Sequence, residues 1–184
     1  EVFSEHNLQV ERLVERGEYA KGTKTRFETA HRHTKAFLKA KYDLDDIPLT
    51  HLDYGFINDF EFYLKSEVCA HNTAMKYLGN FKKIVLNCVR RNWLPRDPFL
   101  GYKLPKREVQ KDFLMDDELQ TITEKQFKTG RLTQVRDIFV FSCYTGLAYA
   151  DVKKLKRSEI KTGFDGKKWL FVRRQKTSTP SPVP

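Results

Sequence analysis

The stretch TAMKYLGNFKKIVLNCVRR, residues 73–91, places the tightest limit on how this chain can fold. Leu78, Phe81, Val85, Cys88 and Val89 recur at three- and four-residue spacings, the period of an α-helix with one apolar stripe. Lys76, Asn80, Lys83, Asn87 and Arg90 recur at four, three, four and three, so they share the opposite face. Such a helix is stable only when other elements cover its stripe, and the preceding residues supply them in kind.

Residues 4–16 and 23–41 carry the same period, with Phe27, Ala30, Thr34, Phe37 and Leu38 as the stripe of the second segment. Asp53 is placed to cap a third helix, over residues 54–67, in which Phe56, Phe60, Tyr63 and Leu64 fall on one side. Asn72 or Thr73 is the expected cap of the fourth. Pro95 and Pro98 end the helical region, because proline neither donates to nor fits inside a helix. KLPKREVQKD, residues 103–112, has no apolar period and many charges, as an exposed linker does. Beyond it, Asp116 is the expected cap of a helix over 116–127, and a further helix is expected over 131–144. The period then changes: after the Phe-Asp-Gly turn signal, Trp169, Phe171 and Arg173 alternate with Leu170, Val172 and Arg174, as in a β-strand. The expected fold is mainly α, with a four-helix domain followed by a smaller α+β unit.

The 34 Lys and Arg residues against 24 Asp and Glu give a net charge of +10, which suits a polyanion such as nucleic acid. No apolar run approaches the roughly 18 residues of a membrane span, and no signal-peptide pattern opens the chain, so a soluble, intracellular protein is expected. Cys69, Cys88 and Cys143 are too scattered for a disulfide framework and read as reduced core residues. Cys69 and His71 offer two potential ligands, but tetrahedral zinc needs two more nearby, so no metal site is expected. No glycine-rich phosphate loop is present, which speaks against nucleotide hydrolysis and against a nucleotide cofactor. The absence of an initiating methionine and the strand-like end at Pro184 lead to the expectation that the sequence is a fragment.

Thr145-Gly146-Leu147 followed by Asp151 and Leu155 resembles the Thr-Gly-Leu-Arg-x-x-Glu/Asp-x-x-x-Leu box of the tyrosine recombinases, and Arg174-x-Lys176-Thr177 with Val183-Pro184 resembles their β-hairpin box. Thr23, Asn72-Thr73 and Asp97-Pro98-Phe99 match weaker family signals, and the overall pattern is similar to the integrase branch common in mobile elements of Bacteroidetes. The resemblance implies a SAM-like four-helix core-binding domain at 1–102, a basic interdomain linker at 103–114, and the N-terminal part of the catalytic domain, with its small β-hairpin, at 115–184. It also implies a tyrosine that attacks a DNA phosphodiester, leaving a 3′-phosphotyrosine and a 5′-hydroxyl. Charge then builds on the phosphate and on the leaving oxygen, and cations or donors must await both.

By the resemblance, Lys176 donates a proton to the 5′ leaving oxygen as general acid, and Asp151 orients the cationic members of the site. Ala148 stands where most of the family has an arginine that clamps the scissile phosphate. Arg136, twelve residues earlier, is a candidate for the missing charge, with Lys153 and Lys154 as others; an ordinary salt-bridge role for Arg136 is an even alternative. The later His-x-x-Arg box and the nucleophilic tyrosine are expected beyond Pro184, while Tyr144 and Tyr149 are expected to pack the turn.

The same resemblance makes double-stranded DNA the partner, with Lys76, Asn80, Lys83, Asn87, Arg90 and Arg174 as candidate contacts and Lys24, Arg26, Arg32, Lys35 and His33 as weaker ones. The family's two domains clamp the duplex, with the linker crossing it, and other recombinase protomers are expected beside this one. No membrane and no small-molecule cofactor is implied, and the location is cytoplasmic, at the bacterial nucleoid. The leading function is thus the DNA-binding portion of a site-specific recombinase. Its rivals are a non-catalytic accessory DNA-binding protein with the same fold, for which Ala148 argues, and a basic protein-interaction module.

Overall fold

The computed structural model describes residues 1–184, which divide into two units, Glu1–Val109 and Gln110–Pro184. The first holds α1 (Val2–Glu15), α2 (Lys21–Tyr42), α3 (Tyr54–Tyr63) and α4 (His71–Arg90). The second holds α5 (Asp116–Glu124), α6 (Gly130–Thr145), the single turn α7 (Tyr149–Val152) and three short strands, β1 (Ile160–Thr162), β2 (Lys168–Arg173) and β3 (Pro180–Val183).

The sequence explains the first unit closely. Phe27, Ala30, Thr34, Phe37 and Leu38 are the buried residues of α2, the stripe expected from spacing. Asp53 caps α3 by accepting the Phe56 N–H at 2.7 Å, satisfying one of the helix's orphan donors. The third helix then widens into a π-type turn at Leu64–Val68, so the length expected from sequence is split between two geometries. Helix α4 lies at the centre: Ala74, Met75, Leu78, Phe81, Ile84, Val85 and Cys88 are all buried, a broader stripe than the sequence reading named. Phe81 meets the rings of Phe3, Phe56, Phe60 and Phe99 at centroid separations of 5.3–6.1 Å, the range of favourable aromatic pairs. Leu94, Phe99 and Tyr102 fold back onto the same core.

Two expected caps are corrected. Helix α4 begins two to three residues earlier than expected, at His71 with Ala70 as its cap, and the Asn72 amide is bound to Arg107 instead. Helix α5 starts after Met115, and Glu118 closes its first turn by accepting the Met115 N–H at 2.9 Å. Asp116 is therefore the first helical residue, where a carboxylate still favours the positive end of the helix dipole.

In the second unit the strands form an antiparallel sheet in the order β1-β2-β3. The alternation read along β2 is present: Val172 is buried while its neighbours Phe171 and Arg173 are exposed. Apart from Val172, only Leu147 and Asp151 are buried in this unit. The expectation that all three cysteines are core residues fails for Cys143, which is exposed on α6, whereas Cys88 is buried and Cys69 half-buried. No helix is long and apolar enough to cross a membrane.

Candidate nucleic-acid interface and cleavage site

The helical period places Lys76, Asn80, Lys83, Asn87 and Arg90 on the side of α4 turned away from the core, and the three cations are exposed. From Lys76 to Arg90 the row runs about 21 Å, roughly two thirds of a turn of duplex DNA. None of the three is neutralised by an ion pair, whereas the neighbouring Arg91 is bound to Glu5 at 3.1 Å. Lys83 holds its ammonium over the Phe27 ring, Nζ 5.4 Å from the ring centroid, and Arg90 donates to Asn87 Oδ1 at 3.3 Å. A row of unpaired cations on a rigid helix presents a fixed positive edge to a polyanion.

On α2 the weaker candidates separate. Lys24 is paired with Glu11 and Glu28, so its charge is already compensated. Arg26, Arg32 and Lys35 are exposed and free of ion pairs. His33 lies against the Tyr77 ring at 4.7 Å, and burial holds its pKa below the usual 6.5. It is a packing residue of the α2–α4 contact, neutral near pH 7.

The second constellation is built by α6, α7 and the β2–β3 turn. Helix α6 ends because Gly146 takes the left-handed conformation (φ 63°), open to glycine at little cost. Leu147 then tucks into the unit, and Ala148 caps α7, its carbonyl accepting from Asp151 N–H at 2.8 Å. Asp151 is thereby turned inward, and its Oδ1 accepts the backbone N–H of Gln175 at 2.8 Å. Arg174 reaches the same turn, its Nη2 donating to the Gly146 carbonyl at 3.3 Å. The hairpin turn itself is closed by Arg174 N–H to Thr179 O at 2.9 Å and Ser178 N–H to Arg174 O at 2.8 Å. Lys176 stands at its exposed tip, free of any ion pair.

The two sequence boxes, nearly thirty residues apart, thus meet through Asp151–Gln175 and Arg174–Gly146. Asp151 holds a backbone amide of the hairpin; it makes no bond to a cationic side chain. Arg136 is engaged elsewhere. Its guanidinium binds Asp137 Oδ1 through Nε and Nη2 at 2.9 and 2.7 Å and donates to the Lys125 carbonyl at the end of α5. Lys153 and Lys154, the other candidates, are exposed just after α7. Tyr144 and Tyr149 do not pack the turn as expected: they are 70% and 62% exposed, whereas Leu147 and Asp151 are buried. The Arg174 contact with the turn was not legible from spacing, since nothing in a linear motif says which backbone atom a side chain reaches.

The comparison with solved structures shows where this architecture recurs. The chain is similar to a lambda integrase dimer bound to a COC′ core site, at 16% identity and a TM-score of 0.74, covering 97% of this chain and 60% of that one. A lambda integrase tetramer bound to a Holliday junction matches at 17% identity and 0.71, with coverages of 97% and 49%. The Tn1549 transposon integrase in complex with a circular intermediate DNA matches at 13% and 0.69, with coverages of 100% and 60%. At these identities the likeness is one of fold, and the chain spans about half to 60% of the length of those proteins. No curated protein matches the sequence. Residues 1–104 match the model of the phage integrase SAM-like domain, and with the two recombinase boxes joined in the second unit, the chain belongs to the phage integrase family of tyrosine recombinases.

Proposed function

We propose that this chain is the duplex-holding portion, with part of the cleavage site, of a site-specific recombinase that cuts and rejoins DNA through a 3′-phosphotyrosine. Its biological role would be integration or excision of a mobile element, with several protomers acting together on DNA. The observation that supports this best is the joining of the Lys176 hairpin to the Thr-Gly-Leu-Ala turn through Asp151 and Arg174.

In this reading the α4 row holds the duplex by its phosphates, which positions the protein without reading sequence. Lys176, free at the hairpin tip, protonates the 5′ leaving oxygen. Asp151 sets the position of that hairpin through the Gln175 amide. The charge absent at Ala148 comes from Arg174, whose guanidinium already lies beside the turn that carries Ala148; Arg136, held by Asp137 and the end of α5, is the second reading. The attacking tyrosine belongs to the remainder of the full-length recombinase. An accessory protein with the same fold is favoured by one observation, the methyl group at position 148.

Duplex binding by this chain, followed by fluorescence anisotropy across a salt series, tests the holding role. Affinity is expected to fall steeply, with log K losing about 0.9 per log unit of salt for each neutralised phosphate. A flat salt response would remove the phosphate-holding role. Strand cleavage by the full-length protein separates recombinase from accessory protein.

A further inference from the structure

The first unit contains a second device on α4, at Asn72. This residue lies four positions before Lys76 and so begins the same helical row. Its amide is nevertheless not free. Asn72 Nδ2 donates to the Arg107 carbonyl at 2.8 Å while Asn72 Oδ1 accepts the Arg107 N–H at 2.8 Å, so one side chain takes both backbone groups of one residue. His71 adds a third bond, Nε2 to the Pro105 carbonyl at 2.8 Å. A proline carbonyl can only accept, so Nε2 carries the proton. Leu104, the preceding anchor, packs against the core and lies beside Gly79.

These contacts fix the path of the chain. Leu104 to Arg107 is three residues of extended backbone, about 10 Å, and Gly79 back to Asn72 is seven residues of helix, about 10.5 Å. The lengths agree, so the segment runs extended and antiparallel along the flank of α4. Residues 105–109 remain exposed at their side chains, and Lys103, Lys106 and Arg107 have no ion pair.

We infer that Asn72 is a positioning residue that seats this strand on α4 and thereby makes Lys106 and Arg107 a continuation of the phosphate-binding row that starts at Lys76. The DNA half of this inference rests on the proposed function; the seating half does not. Without the seat, the two cations would sit on a wandering segment and the entropy of ordering them would be charged against each phosphate contact.

Two measurements on the intact chain test it. In the absence of DNA, Asn72→Ala removes two hydrogen bonds, each worth about fivefold in the population of the seated strand. Trypsin cleavage after Lys106 and Arg107 is then expected to rise about 25-fold, since cleavage follows the population of the opened segment. Unchanged cleavage overturns the seat. With duplex DNA, Asn72→Ala should lower the slope of log K against log salt by up to about 1.8, two contacts' worth, and Lys106→Ala/Arg107→Ala should lower it equally. Combining all three substitutions should add nothing further, because one interaction is being removed twice. The double variant touches only exposed side chains, so it decides the matter even if Asn72→Ala unfolds: a full slope in Lys106→Ala/Arg107→Ala overturns the inference. Wild-type protein that ignores DNA would instead overturn the phosphate-holding reading, with the trypsin result still deciding the seat.

Discussion

Asp151 Oδ1 and the Gln175 backbone N–H meet at 2.8 Å across a separation of 24 residues, and this bond ties the hairpin tip to the turn after α6. Asp151 is buried, so the acceptor cannot be replaced by water without opening the unit. The carboxylate is thus part of the scaffold that decides where Lys176 stands.

Asp151→Ala leaves the Gln175 N–H without a partner at a cost of about 1–3 kcal/mol. Amide exchange at Gln175 is expected to accelerate accordingly, by about 5- to 160-fold. Asp151→Asn keeps an oxygen at the same place and should hold the amide nearly as well. Equal exchange in the Ala variant and the parent would show that the bond does not hold the hairpin.

For cleavage by the full-length recombinase, Lys176→Ala and Arg174→Ala are each expected to lose about 100- to 1000-fold in rate, the usual effect of removing one transition-state donor. A substrate with sulfur at the 5′ bridging position should rescue Lys176→Ala, because a thiolate leaves without protonation. It should not rescue Arg174→Ala, whose deficit lies on the non-bridging oxygens. Arg136→Ala should cleave at nearly the parental rate, since its guanidinium serves α5 and Asp137. Loss of cleavage in Arg136→Ala with a normal rate in Arg174→Ala would exchange the two assignments.

Along α4, Lys83→Ala together with Arg90→Ala should weaken duplex binding for all sequences alike and reduce the salt slope by about 1.8. Both side chains are exposed, so the helical circular dichroism should be unchanged. An unaltered slope would return this row to ordinary solvated surface.

Stability should also depend on pH through three histidines of the first unit. Burial lowers the pKa of His6 against Phe27, His31 against Phe3 and His33 against Tyr77 below the usual 6.5, with nearby Lys83, Lys35 and Arg32 acting in the same direction. The unfolded chain then binds protons more readily than the folded one. The contribution is fully present above about pH 6.5 and is lost as pH falls from there through the lower folded values. Urea midpoints are expected to drop between pH 7.5 and 5, and replacing the three histidines by glutamine should flatten that drop. A parental midpoint constant over the range would contradict it.

What could be read without the structure was what neighbours in sequence decide. The stripe of α2, the Asp53 cap and the alternation of β2 each depend on residues within a few positions, so spacing and side-chain chemistry are sufficient. The two recombinase boxes were also legible, as ordered motifs. Tertiary structure decided the use of side chains that have more than one partner within their chemical means. Asn72 is as able to cap α4 as to bind Arg107, and only the return of the chain 35 residues later supplies the second partner. Arg136 and Arg174 are equivalent donors in a linear reading, and the folded chain sends one to the end of α5 and the other to Gly146. Asp151 carries the same charge wherever it points, yet burial turns it from a surface acid into the acceptor of a single distant amide. The physical reason is common to all three: a helix or strand satisfies its own backbone locally, whereas a polar side chain takes whichever partner the packed core brings within about 3 Å.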